Sequence, residues 1–146
     1  MRLIVRVFSA LNTAIYRASA GRVGSRLGRA PILLLTTSGR RSGQPRTVPL
    51  LHLRDGDDLV VVASYGGRPE HPAWFRNLER QPRAEVEIGR ERRAVRARVA
   101  TAEERERLWP RLVEMYGAYE RYQERTTREI PVVLLEPTDA GHGPSA

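Results

Sequence analysis

The chain has 146 residues, 25 basic against 17 acidic side chains and a formal charge of +8; every basic residue is an arginine and there is no cysteine. That length suits one domain with a real core rather than two. A disulfide framework, a thiolate metal site and a cysteine nucleophile are excluded, and His52, His71 and His142 are too scattered for a histidine-built metal centre, so no metal is expected.

Residues 1–54 hold ten arginines and no acid, whereas from Asp55 onward acids and arginines interleave. The interleaving argues against a nucleic-acid stripe. The basic first half is a local positive field suited to phosphate, a polyanionic tail or an anionic lipid surface. No apolar run reaches the roughly 18 residues of a membrane span, and no apolar leader with a small-residue cleavage site opens the chain. A cytoplasmic protein is expected.

In chain order, Leu3, Val7, Phe8, Leu11 and Ile15 recur at helical spacing, predicting an amphipathic helix in residues 1–20. Two uses fit it: packing on the body or a second subunit, and peripheral contact with an anionic bilayer through its arginines and Phe8. Residues 21–29 (GRVGSRLGR) read as a linker. The body, residues 30–137, begins with apolar runs Ile32–Thr37 and Thr47–Leu53 flanking a loop that carries Gly39, Arg40, Arg41, Ser42 and Gly43, with Arg46 beyond it. This predicts a hairpin with a cationic mouth, read equally well as an anion site or as a solvated tip whose arginines keep the edge soluble.

The second strand is expected to run to Arg54. After the turn Asp55–Asp58, the β-branched run Leu59–Ser64 predicts a strand buried on both faces, completing a three-strand meander that stops at Tyr65-Gly66-Gly67. His71-Pro72-Ala73-Trp74 opens a helix to Arg80. Ala84–Ile88 and Arg93–Ala100 alternate apolar with charged residues, a hairpin wet on one face. Thr101 with Glu104 predicts a capped helix start, and helix continues to Arg125 with a break at Gly117. Ile130–Leu135 is one more buried strand, and residues 138–146 a disordered polar tail. About six mostly antiparallel strands with flanking helices give an α+β domain built round a small barrel or half-barrel.

Walker, GxSxG and GxGxxG patterns are absent, as is any nucleophile–base–orienter set, so chemistry rests on a bound cofactor. Tyr116, Tyr119 and Tyr122 recur at a three-residue spacing. They fit either a phenolic pocket wall or a core edge.

Taken in order, TTSGRRSGQPRTVPL, VVVASYGG, HPAWFRNL, MYGAYERYQ and IPVVLLEP resemble the signatures of the deazaflavin (F420)-dependent nitroreductase family, over residues 20–137. These are oxidoreductases with the split β-barrel fold also used by FMN oxidases of the pyridoxine type. The resemblance implies an α+β split barrel and coenzyme F420, an 8-hydroxy-5-deazaflavin with a phosphate and an oligoglutamate tail, with FMN less favoured. It implies hydride transfer to a small electron-poor acceptor: a quinone, an enone or a nitroaromatic. Cofactor residues carry over as Arg40, Arg41, Ser42, Arg46, Thr47, Val48, Pro49, Leu50, Leu51, Val62, Ala63, Ser64, Tyr65, Ala73, Trp74, Phe75, Arg76, Asn77 and Tyr119. Catalytic roles fall to Tyr116, Tyr119, Tyr122 and Ser64.

One departure stands out: Tyr65 occupies a corner where many members carry lysine. The other functions left open are a non-catalytic deazaflavin carrier and a basic membrane-surface or nucleic-acid module. Monomer and homodimer are both compatible with the sequence.

Overall fold

The structure, a computed structural model, describes residues 26–27 and 30–138, with side chains from residue 31. The expected N-terminal helix, the remaining linker residues and the tail beyond Thr138 lie outside them.

The described elements are β1 (Arg26–Leu27), β2 (Ala30–Ser38), β3 (Pro45–Leu51), β4 (Leu53–Asp55), β5 (Asp58–Val62), α1 (Ala73–Arg80), β6 (Arg83–Ile88), β7 (Glu91–Val99), α2 (Ala102–Met115), α3 (Ala118–Glu124) and β8 (Val132–Pro137). They form one sheet of eight strands in the order β1-β2-β6-β7-β8-β5-β4, with β3 pairing β2 off that path. Every pairing is antiparallel. The α+β half-barrel expectation holds, with eight strands where about six were expected. The two extra ones are short: β1, inside the segment read as a linker, and β4.

Alternation explains why β5 is apolar along its whole length. Leu59 and Val61 face an inner cluster with Leu33, Leu35, Trp74, Phe75, Leu78, Val133 and Leu135. Val60 and Val62 point the opposite way, into a second cluster with Leu108, Leu112, Tyr119, Ile130, Val132 and Leu134. Thus α1 covers one face of the central strands and α2 with α3 the other. Each fully buried Leu or Val side chain contributes about 1.5–3 kcal/mol, so a polar residue at either parity of β5 would cost a comparable amount.

The expected three-strand meander is corrected. β3 stops at Leu51 and pairs β2, while the chain bends at buried His52 and β4 pairs β5 instead. The His52 N–H donates to Pro31 O at 3.0 Å, holding that bend against the start of β2. β5 then lies beside β8, not beside β2 or β3. The long helical stretch divides at the expected Gly117, with α2 ending at Met115 and α3 starting at Ala118. At the start of α2 the capping box is present: Glu104 N–H donates to Thr101 Oγ1 at 3.2 Å, and Thr101 N–H to Glu104 Oε1 at 2.9 Å.

Candidate cofactor and active site

The β2–β3 register, from Ile32↔Leu51 to Ser38↔Pro45, fixes where the arginine loop begins and ends. Within it Gly39 N–H donates to Gln44 O and Gly43 N–H to Gly39 O, each at 2.8 Å. Gly43 has φ +73, a conformation that favours glycine. Gly39 is needed for room, since a Cβ there would sit 3.0 Å from Ser42 Oγ and 3.2 Å from Gln44 O. Ser42 Oγ accepts from Gln44 N–H at 3.1 Å. Among the described residues, the Arg41 and Ser42 N–H groups meet no acceptor.

An open cleft of about 450 Å³ lies against this loop, lined by Ser38, Gly39, Arg40, Arg41, Ser42, Gly43, Arg80 and Gln81. Among the described residues no carboxylate pairs with Arg40, Arg41, Arg46 or Arg80. Other arginines are engaged: Arg98 with Glu104 and Glu136, and Arg107 and Arg111 with Asp55. Among the described residues, the loop beside the cleft therefore carries positive charge that no carboxylate pairs and two N–H groups that no acceptor meets, features that suit a phosphate or carboxylate tail.

Asn77 connects this loop to α1. It is 4% exposed; its Oδ1 accepts from Arg40 N–H at 3.0 Å and its Nδ2 donates to Thr37 Oγ1 at 3.0 Å. On the same helix Trp74 and Phe75 are buried in the inner cluster, and Ala73 and Arg76 face outward. On β3, Thr47 exchanges a hydroxyl hydrogen bond of 2.8 Å with Thr36, Val48 and Leu50 pack on the inner cluster, and Leu51 packs on the second. Pro49 is half-buried; Val62 and Ala63 are buried on opposite clusters. Much of the strand and helix set thus spends its side chains on the core.

The N-terminal end of α1 meets the other half of the site. Tyr65, Gly66 and Gly67 have φ of +48, +65 and +80, a left-handed corner in which Gly67 N–H donates to Ser64 O at 2.9 Å. The Ser64 hydroxyl makes no hydrogen bond to the described residues. Arg68 lies 4.8 Å over the Tyr65 ring, which keeps a cation at this corner although Tyr65 itself carries none. Gly67 touches α3 so closely that a Cβ would stand 2.6 Å from Tyr122 O.

The tyrosines cluster, though not along one helix. Tyr116 ends α2, and Tyr119 and Tyr122 belong to α3. The Tyr116 and Tyr119 rings meet edge-on at 5.1 Å, and the Tyr116 and Tyr122 hydroxyls lie 3.3 Å apart. Tyr119 is 4% exposed, and burial pushes its phenol well above the ordinary value, reinforced by Tyr116 and Tyr122. The hydrogen bond with Tyr122 and burial likewise raise Tyr116. Tyr116 and Tyr119 therefore remain hydrogen-bond donors at neutral pH. They do not line the cationic cleft. The cleft meets only the last residue of α1 and Gln81 beyond it, whereas the phenols pack with the second cluster on the opposite face of the sheet, so one occupant touching both must be elongated.

Sequence reasoning missed Arg80 and Gln81, which complete the cleft from the end of α1. It also missed Arg128, whose guanidinium hydrogen-bonds the carbonyls of Ala63, Ser64 and Arg68. A lone arginine in TTREIP carries no motif; only the fold brings it to the corner.

A curled antiparallel sheet with a covered inner helix and an anion-ready loop defines a split-barrel, cofactor-holding class of protein. Within that class, the family model described as F420H(2)-dependent quinone reductase matches residues 8–137, and the chain belongs to that family, oxidoreductases whose cofactor is coenzyme F420. An F420H(2)-dependent quinone reductase of Mycobacterium tuberculosis is 44% identical over 130 residues, covering 86% of this chain and 87% of that protein. The F420-H2 dependent reductase FDR-A is 41% identical with a TM-score of 0.67, over 73% of this chain and 94% of that one. A solved chain described as a domain-swapped dimer is 37% identical with a TM-score of 0.69, over 87% and 96% respectively.

Proposed function

We propose that this protein catalyses hydride transfer from reduced coenzyme F420 to a quinone, with the phosphate and glutamate tail held at the arginine loop and the acceptor facing the phenols. The observation that carries this reading is the cationic cleft at the β2–β3 loop, completed by Arg80 and Gln81 from the end of α1, whose arginines no described carboxylate neutralises. When bound, the reduced coenzyme supplies a hydride from C5 of its deazaflavin ring.

The protein's own contribution is to bind, orient and shield. Arg40, Arg41 and Arg46 offer guanidinium forks to phosphate and carboxylate oxygens, with Ser42 and the Arg41 N–H beside them. Thr47–Leu51, Val62–Tyr65 and Ala73–Asn77 would help to hold the coenzyme, with Ser64 on the side of its ring. A quinone taking up a hydride also needs a proton on oxygen. Tyr119, kept protonated by burial, donates a hydrogen bond to that oxygen, and the linked Tyr116 and Tyr122 hydroxyls relay to solvent.

Enones and activated nitroaromatics share the electron-poor character of quinones and are proposed as further acceptors. A homodimer is proposed from the 37% identical chain described as a domain-swapped dimer. Among the described residues no helix is long and apolar enough to cross a membrane; peripheral contact through residues 1–20 is proposed from their amphipathic pattern.

Fluorescence titration with F420 and with FMN, followed by turnover with quinones, enones and nitroaromatics, tests the reading. Arg40→Ala with Arg41→Ala should raise the F420 dissociation constant by about tenfold or more, the loss of one or two charge-assisted hydrogen bonds. Unchanged binding refutes the cleft assignment. A tight complex that no acceptor oxidises makes the protein a carrier instead.

A further inference from the structure

Four hydrogen bonds converge on the guanidinium of Arg128, in the loop between α3 and β8. Nε donates to Arg68 O at 2.8 Å, Nη2 to Ser64 O at 2.8 Å and Nη1 to Ala63 O at 3.2 Å, while Nη1 also lies 3.0 Å from His71 Nδ1. The Arg128 backbone is held from α3, where Gln123 Nε2 donates to Arg128 O at 2.8 Å and Gln123 Oε1 accepts from Ile130 N–H at 2.9 Å. Arg105 on α2 donates to the same Gln123 oxygen at 3.0 Å. A continuous chain of hydrogen bonds therefore runs from the tyrosine helix, through Gln123 and Arg128, to the corner that carries Ser64.

We infer that Arg128 is a positioning residue for the proposed hydride-transfer site, clamping the left-handed Ser64–Gly67 corner and setting it against the phenols of α3. The inference rests on the functional reading above, and it deepens that reading by naming what holds the two halves of the site together. Three consecutive residues at positive φ, one of them a tyrosine, form a turn that the chain does not adopt freely; a non-glycine residue there costs about 1–2 kcal/mol. The corner's own bonds, Gly67 N–H to Ser64 O at 2.9 Å and Arg68 N–H to Tyr65 O at 3.2 Å, close one short turn and leave its orientation free.

The Arg128 fork supplies the orientation, because it grips carbonyls on both sides of the turn and the ring that precedes α1. No carboxylate among the described residues forms an ion pair with Arg128, so the half-buried cation is stabilised chiefly by those carbonyl dipoles. A lysine ammonium keeps the charge but lacks the planar set of donors needed to reach four acceptors. His71 receives the Nη1 hydrogen bond at Nδ1 and carries its proton on Nε2. Burial lowers its pKa, with Arg128 and Arg76 acting in the same direction and Glu79 against them, and Phe75 packs on the ring at 4.8 Å.

The test compares the full-length wild type with Arg128→Lys and Arg128→Gln in three measurements. In the protein without coenzyme, ¹⁵N NMR of His71 should show a neutral Nε2–H ring in the wild type. Its titration midpoint should move up by about half a pH unit or more in Arg128→Gln and stay near wild type in Arg128→Lys, which keeps the charge. Amide exchange at Gly67 and Arg68 should quicken by about tenfold or more in both variants while protection in β5 and β8 is retained. In turnover, kcat should fall about tenfold or more in both, with the quinone KM changed by about threefold at most, as expected when reacting groups are misplaced rather than a binding surface lost.

A folded variant with wild-type Gly67 exchange and wild-type kcat overturns the inference, as does Arg128→Lys matching wild type in both. Should Arg128→Gln fail to fold, Arg128→Lys carries the test alone. If the wild type oxidises no reduced F420 with any quinone, the functional reading fails, while the exchange and NMR measurements still decide whether Arg128 clamps the corner.

Discussion

Replacing Asn77 with alanine separates the arginine loop from the helix that carries it, and the cost can be worked from two hydrogen bonds. The bond from Arg40 N–H is half-buried, and water can partly replace the lost acceptor, so its removal costs about 1 kcal/mol. The bond to Thr37 Oγ1 joins side chains that are 4% and 2% exposed, and leaving the buried hydroxyl without its donor costs about 1–3 kcal/mol. The total of about 2–4 kcal/mol is a large share of the 5–15 kcal/mol that holds a typical domain, yet it leaves the protein folded at 25 °C. Urea unfolding should show a lower midpoint at unchanged slope. Thr37→Ala removes only the second bond, and the double-mutant cycle should return a coupling of about 1 kcal/mol. Because Arg40 is aimed from this anchor, coenzyme affinity should fall with stability. A loss below about 1 kcal/mol, together with wild-type coenzyme binding, would refute the claim that Asn77 fixes the loop.

Two further outcomes follow from charge and from the phenols. Arg98, with bonds of 2.7 Å to both carboxylate oxygens, and the Thr101 N–H hold Glu104 down to about 2 against an ordinary 4.5. A carboxylate depressed in the folded state contributes stability that is complete above its unfolded value and lost as the pH falls through the folded one. Urea midpoints should therefore decline between pH 4.5 and 2, more steeply in the wild type than in Glu104→Gln, whose neutral-pH cost is about 1 kcal/mol because the pair is partly exposed. Tyr119→Phe keeps the buried ring and removes a hydroxyl that bonds no described side chain, so stability should change by about 1 kcal/mol or less while quinone turnover falls; wild-type kinetics across acceptors would remove Tyr119 from the mechanism.

The parts of this fold that were legible in sequence are those where local pattern and tertiary environment agree. The run Leu59–Val62 is apolar at both parities because the sheet is covered on both faces, and Thr101 with Glu104 reads as a helix start because the capping box is made within one turn. The bend at His52 was not legible, since the apolar run continues unbroken across it and only pairing with β5 reveals that Leu53 has left the hairpin. The tyrosines were legible as a group from their three-residue spacing, and the break at Gly117 was legible too; that Tyr116 at the end of α2 still meets Tyr119 and Tyr122 of α3 across that break was not. In the candidate site, the arginines of the β2–β3 loop announce themselves by glycine and charge. Arg80, Gln81 and Arg128 do not, because each acts on residues far away in sequence.

The corner at 65–67 shows how two backbone exceptions in one turn, Tyr65 and Gly67, carry different weight. Tyr65 is the residue that breaks the conformational rule, at φ +48, and its replacement by glycine removes about 1–2 kcal/mol of strain. The same change removes the stacking of Arg68, worth about 0.5–1 kcal/mol, and loosens the unfolded chain by a similar amount. Tyr65→Gly should therefore be close to neutral, within about 1 kcal/mol. Gly67 obeys the rule, at φ +80, and yet cannot change. A Cβ would lie 2.6 Å from Tyr122 O, and 3.0 Å from both Tyr122 Cα and Arg125 Cβ, and the two Tyr122 atoms belong to a helix backbone that cannot swing aside. Gly67→Ala should cost about 2–4 kcal/mol and push α3 away from Ser64, lowering turnover beyond what lost stability explains. If Gly67→Ala proves milder than Tyr65→Gly, then the corner and the tyrosine helix are not in fixed contact, and Ser64 has no reason to keep its distance from the phenols.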